Sequence, residues 1–331
     1  MSEEEQLLPS PPPSVVSGTM VVERYRIDRE IGRGGMATVY LADDSKHDRQ
    51  VALKFIHAEV ADRLATERFR REITLLASLQ HPHILALYDS GEFEGALFYV
   101  MPFIAGESLR SRLDREHKLP LADALGIARE VADALVHAHS QNVIHRDIKP
   151  ENILLSQGHA FVGDFGIARA VTRSGARRLT DAGFAIGTLA YMSPEQASGD
   201  PIDGRSDLYS LSCVIYEMLT GEVPYDAATA LAILAKRAAE LPKAPRRLCP
   251  TVPPRVDAAL MKALSPSPDD RFESVAQFSA ALRGESAPSS AGPRFAASAR
   301  VRWLFGAAGI AALFALFLRS VPLHSIRSCM S

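Results

Sequence analysis

The chain has few cysteines and no excess of one charge. Cys213, Cys249 and Cys329 are scattered, odd in number, and form no Cys-x-x-Cys pair or Cys/His cluster. That excludes a disulfide framework and a thiolate zinc site, and the three read as incidental thiols of a reducing compartment. A net charge of −2 leaves no basic field to hold a phosphodiester backbone, so no nucleic-acid partner is expected. The opening Met-Ser-Glu-Glu-Glu is acidic and lacks an apolar core, so no secretory leader is expected either. No internal repeat is evident.

What is present suits a folded protein. The 331 residues are 47% hydrophobic and 23% charged, enough for one large or two smaller cores. Residues 1–24 hold Pro9, Pro11, Pro12 and Pro13 among serines and read as a disordered tail. From Tyr25 the pattern becomes strand-like, interrupted by Gly32-Arg33-Gly34-Gly35-Met36-Ala37-Thr38-Val39 and resumed at Tyr40. Val51-Ala52-Leu53-Lys54 alternates and ends on a lysine. Phe69, Ile73 and Leu76 mark an amphipathic helix whose apolar face also carries Glu72, a carboxylate that needs a partner there. Leu97 to Val100 is a short apolar strand. Leu125, Ala128, Val131 and Leu135 give residues 121–140 a helical period, on which His137 and His139 read as packing or solvated residues. Leu208, Leu211, Ile215 and Leu219 predict a buried helix closed by Gly221.

The residues that carry chemistry lie between these helices. His145-Arg146-Asp147-Ile148-Lys149-Pro150-Glu151-Asn152 is followed by Asp164-Phe165-Gly166, and further on by Ser193-Pro194-Glu195. Carboxylates, an amide and lysines at such spacing suit a hard cation and a cluster of phosphate charge. In this order, after the glycine-rich turn and the strand lysine, they resemble the bacterial eukaryotic-like serine/threonine protein kinases. The resemblance covers about Tyr25 to Leu282, and Lys149 with Gly187-Thr188 matches the serine/threonine branch.

The resemblance implies an α+β, two-lobed fold: a sheet-dominated lobe over 25–103 and a helical lobe over 105–282. It implies Asp147 as the base that accepts the hydroxyl proton, and Lys54 and Lys149 as phosphate neutralisers. Glu72 would pair with Lys54, and Asn152 and Asp164 would bind Mg²⁺, with Mn²⁺ as an alternative. ATP would lie under residues 31–39, with Ile31, Val39, Ala52 and Leu154 around the base and Met101 as gatekeeper. Pro102 lacks an N–H; in the family the carbonyl at that position and the N–H of Ile104 serve adenine. The third glycine of the loop is replaced by Ala37, whose methyl should narrow and stiffen the hairpin tip. Thr180 would be the activating autophosphorylation site, met by Arg146. Thr188 would position substrate, Asp207 would brace the catalytic loop, and Arg271 would pair with Glu195.

The expected reaction is therefore transfer of the γ-phosphoryl of Mg·ATP to serine or threonine hydroxyls of protein substrates. A pseudokinase scaffold and a small-molecule kinase are the alternatives. Lys54, Asp147 and Asp164 are all present, against the first; the threonine-bearing loop and Ser-Pro-Glu argue against the second. Beyond the domain, 283–302 reads as a juxtamembrane linker. Residues 303–318 are uncharged between Arg302 and Arg319, and as a helix span about 24 Å of a roughly 30 Å hydrocarbon core. Trp303 at the interface and the flanking arginines cover the deficit. The expectation is a single-pass protein of the inner or plasma membrane with a cytoplasmic kinase domain. A short extracytoplasmic tail, 319–331, would be too small for a sensor, and a homodimer in the membrane plane is one source of input.

Overall fold

The computed structural model describes residues 15–35, 37–57, 73–165 and 189–285. Six strands form one antiparallel sheet: β1 (Met20–Val21), β2 (Tyr25–Arg33), β3 (Ala37–Asp44), β4 (Arg49–Ile56), β5 (Asp89–Phe93) and β6 (Ala96–Pro102). Their order is β1-β2-β3-β4-β6-β5. Period-two alternation decides what each face buries. Val51, Leu53 and Phe55 of β4 join Phe98 and Val100 of β6, with Tyr25, Ile27 and Tyr40, in one apolar cluster. On the opposite face Ile56, Leu97, Tyr99 and Ala37 form a second cluster with Ile73.

The expected boundary of the N-terminal tail needs adjusting here. The sheet begins at Met20, ahead of the expected boundary at Tyr25: Met20 pairs with Arg26, Val21 pairs with Tyr25, and Val21 is fully buried. A tail through residue 24 is too long, because Val21 has an apolar pocket to fill and a free strand edge to pair with. Ala37 stands where the glycine turn joins the sheet. It is paired with Ile56 in regular sheet, and its methyl is buried with Tyr99 and Leu97.

The chain leaves β6 through residues 103–106 and enters the helical lobe. Gly106 is required there, since a Cβ would stand 2.0 Å from the Leu155 carbonyl oxygen. β7 (Glu107–Ser108) then pairs with β8 (Ile153–Ser156), which pairs with β9 (His159–Val162). Around this small sheet lie α1 (Leu109–Glu116), α2 (Leu121–Ser140), α3 (Pro194–Ser198), α4 (Gly204–Thr220) and α5 (Ala230–Ala239). α6 (Pro245–Leu248), α7 (Pro254–Ala263) and α8 (Val275–Arg283) complete the lobe. α4 is buried on every side from Ser206 to Leu219, as a helix at the centre of a lobe must be. Its serines do not strand polar groups: Ser210 and Ser212 donate to the carbonyls of Ser206 and Leu208. Gly221 ends it in the left-handed conformation (φ +79°), its N–H bonded to the Glu217 carbonyl. Among the described residues no helix is long and apolar enough to cross a membrane; residues 303–318 lie outside them.

Candidate active site

The site lies where the large sheet meets the β8–β9 hairpin. Register sets the upper half. Lys54 is paired across β4 and β6 with Tyr99, and Ala52 with Met101; Val39 of β3 is paired with Lys54 on the other side. Ala52 is buried and Ile31 is exposed, while Val39, Met101, Pro102, Ile104 and Leu154 are half-buried. Gly32 pairs with Val39 and Arg33 with Thr38, and the Gly34 N–H closes the turn on the Ala37 carbonyl. Arg33 also forms an exposed ion pair with Glu30.

The lower half is built on a strained loop held from beneath. Arg146 has φ +70° and Asp164 φ +59°, a region that costs a residue with a Cβ of order 1 kcal/mol or more. Asp207, at the first turn of α4, accepts the N–H groups of His145 at 2.8 Å and Arg146 at 2.7 Å. His139 at the end of α2 donates to the same carboxylate at 2.7 Å. The fully buried His145 donates from Nε2 to the Gly163 carbonyl and accepts the Asp147 N–H at Nδ1, which assigns its tautomer. Gln196 donates to the Arg146 carbonyl. The loop backbone is thus held from α2, α3 and α4 together.

Three functional side chains meet on this loop. Asn152 donates to the Asp147 carbonyl at 2.8 Å and to Asp147 Oδ2 at 3.0 Å. Lys149 Nζ stands 2.9 Å from the same Oδ2. The hairpin pairs Ile153 with Val162, and the Gly163 N–H donates to the Asn152 carbonyl, so Asn152 and Asp164 stand on neighbouring backbone. Asp164 reaches up to the sheet: Oδ2 pairs with Lys54 Nζ at 2.5 Å and Oδ1 accepts the Tyr99 hydroxyl at 2.7 Å. Burial alone would raise the Asp164 carboxyl, but Lys54 and Tyr99 outweigh it and hold the group below its ordinary value.

The donor set fits a hard divalent cation. Asn152 spends its amide nitrogen on Asp147, which turns its oxygen the other way, and Asp164 offers carboxylate oxygens. Two such protein ligands, with phosphates and water for the rest, are what Mg²⁺ takes beside a nucleotide.

At the far end Arg271 meets Glu195 in a doubly bonded pair, both contacts 2.8 Å. The side chains are 0% and 6% exposed, so this is no surface salt bridge. Glu72, Met36, Thr180 and Thr188 lie outside the described residues. Sequence reasoning missed several residues that act on the site. Tyr99 sits in an apolar run and shows no polar pattern, and His139, expected to be packing or solvated, bonds Asp207. Arg110, which donates to Glu217 and Tyr191, is one of several basic residues on α1. Position alone does not distinguish it from a solvated charge.

Comparison with known proteins agrees with this geometry. The protein kinase domain family matches residues 25–278. The serine/threonine-protein kinase PknB of Mycolicibacterium smegmatis is 41% identical over 266 residues, 78% of this chain and 42% of that protein. The serine/threonine-protein kinase PrkC of Bacillus subtilis is 39% identical over 269 residues, 80% of this chain and 41% of that protein. The chain therefore spans about two-fifths of the length of these relatives.

Proposed function

The chain belongs to the protein kinase domain family, and from that premise we propose that it transfers the γ-phosphoryl of ATP to serine or threonine hydroxyls of proteins. The observation that carries the reading is the arrangement at Asp147, whose carboxylate is held by Asn152 at 3.0 Å and Lys149 at 2.9 Å. A carboxylate so oriented, and 37% exposed, can receive the hydroxyl proton of an entering side chain. Lys149 beside it neutralises charge on the phosphoryl in transit. Lys54 exchanges Asp164 for the α- and β-phosphates when nucleotide enters. Magnesium, held by Asn152 and Asp164, would supply positive charge against the phosphate oxygens. Glu72, on the chain that follows β4, is the proposed partner of Lys54 in the nucleotide-bound state. Nothing in the site favours a non-catalytic scaffold, since Lys54, Asp147, Asn152 and Asp164 are all present. The direct test supplies γ-labelled Mg·ATP and a mixed protein acceptor. Label in protein supports the reading; label only in free phosphate or small molecules opposes it.

Activation follows from Arg146. Its Nε is buried and has no hydrogen-bond partner among the described residues, an arrangement that a phosphate on a nearby loop would satisfy with charge-assisted bonds. We assign that phosphate to Thr180, with Thr188 positioning substrate. Thr180→Ala should lower activity toward an added substrate by roughly tenfold, through loss of loop ordering. Full activity in a Thr180→Ala preparation phosphorylated elsewhere would remove the assignment.

The segment 303–318 is proposed to anchor the protein in the membrane with the kinase domain on the ATP side. Apolar character all round argues for lipid over a half-buried helix. Full-length protein is expected to stay in the membrane pellet through a carbonate wash, and a version ending at Ala299 to be soluble and active. Release of the full-length protein by the wash contradicts a spanning helix.

A further inference from the structure

We infer that Tyr99 is a positioning residue for the metal-binding carboxylate of Asp164, an inference that rests on the kinase reading above. The register of the sheet makes the case. Lys54 and Tyr99 are direct cross-strand partners, so their side chains leave the same face, side by side. They reach the two oxygens of one carboxylate, Lys54 at Oδ2 and Tyr99 at Oδ1.

The two donors are not equivalent. Lys54 is a flexible cation that must turn to phosphate when nucleotide binds. Tyr99 is 4% exposed and packed with Ile56, Ile73 and Leu97, so its ring cannot follow. A buried phenol needs a partner, and the described partner is this carboxylate. Tyr99 therefore keeps Asp164 aimed after Lys54 has left. It also holds a side chain whose backbone is in the left-handed region at φ +59°. A carboxylate oxygen has two lone pairs, so the bond from Tyr99 leaves Oδ1 and Oδ2 each with a lone pair for a cation. Hydrogen bonds of this kind to metal ligands fix their orientation and tune affinity.

The hydroxyl can be removed without disturbing the packing. Tyr99 lines a cavity of about 30 Å³ with Leu76, Leu87, Met101 and Phe165 among others, and its ring is packed by Ile56, Ile73 and Leu97, so Tyr99→Phe leaves the ring in place. The experiment titrates full-length protein with Mn²⁺ at saturating ADP, following bound metal by electron paramagnetic resonance, so no turnover is needed. Tyr99→Phe should need roughly tenfold more Mn²⁺ for half-saturation, with metal-free ADP affinity changed less than about twofold. Its melting temperature without ligand should stay close to wild type. Tyr99→Ile, which also lacks the donor, should shift the metal midpoint in the same direction. An unchanged or tighter Mn²⁺ midpoint in Tyr99→Phe overturns the inference, as does a loss of melting temperature with no metal shift. If wild-type protein itself shows no metal-dependent ADP binding, the kinase reading fails and this inference with it.

Discussion

Asp147→Asn should lower phosphoryl transfer by roughly 10²- to 10⁴-fold, the range for losing a positioned general base, while the melting temperature changes little. The side chain keeps its size and can still bond Asn152 and Lys149. Asp147 takes little part in the loop's support, which comes from Asp207, His139 and Gln196. What is lost is the anionic oxygen proposed to receive the hydroxyl proton. Lys149 keeps a hydrogen-bond acceptor there but loses its counter-charge. Lys54→Met and Asp164→Asn should fall by comparable factors for electrostatic reasons. They differ in kind: both should weaken Mg·ATP binding, whereas Asp147→Asn should act mainly on kcat. Initial rates at varied ATP separate the two patterns. Near wild-type kcat in Asp147→Asn contradicts its role.

The second large effect is on stability. Arg271→Met should destabilise the domain by about 3–5 kcal/mol, the cost of breaking a buried ion pair from one side. Arg271 makes five hydrogen bonds besides its stacking on Tyr209: two to Glu195 and one each to the carbonyls of Ser265, Arg205 and Pro266. Methionine fills the volume but leaves those acceptors and a buried carboxylate unmatched. Burial alone would push the Glu195 carboxyl up; the bonds from Arg271 and Ser206 outweigh it and hold it below its ordinary value. In the wild type that is stability present above the unfolded-state pKa and lost as pH falls through the lower folded value. Without Arg271 the balance reverses, since protonation then relieves the stranded charge. The deficit of Arg271→Met should therefore shrink as pH is lowered into the carboxylate range. Arg271→Met/Glu195→Gln should recover part of it at neutral pH. Urea melts at several pH values check both; a pH-independent deficit with no recovery contradicts the buried-pair account.

Much of this architecture is legible in the residues because chemistry constrains them tightly. The spacing from Asp147 through Lys149 to Asn152 sets which atoms can meet, and the structure puts those atoms within hydrogen-bond distance of one another. α4 and its glycine cap follow from apolar period and conformational freedom. The start of the sheet was harder to see: Met20 and Val21 look like the end of a proline-rich tail until a partner strand is known. Tyr99 was not legible either. In Leu97-Phe98-Tyr99-Val100 a tyrosine reads as a strand residue, and only the register against Lys54 shows where its hydroxyl goes. His139 forms a bond to Asp207 that is not legible for a related reason. Its helix predicts a face, but the carboxylate it bonds belongs to a residue far along the chain. Long-range polar pairings of this sort carry no local period.

The most direct test of the central claim is peptide mass spectrometry of the purified full-length protein after incubation with Mg·ATP, alongside Asp147→Asn treated identically. The account predicts phosphate on serine or threonine peptides of the wild type, Thr180 among them, and none added to the variant. Equal phosphate on both proteins, or none on either while ATP is consumed, contradicts it.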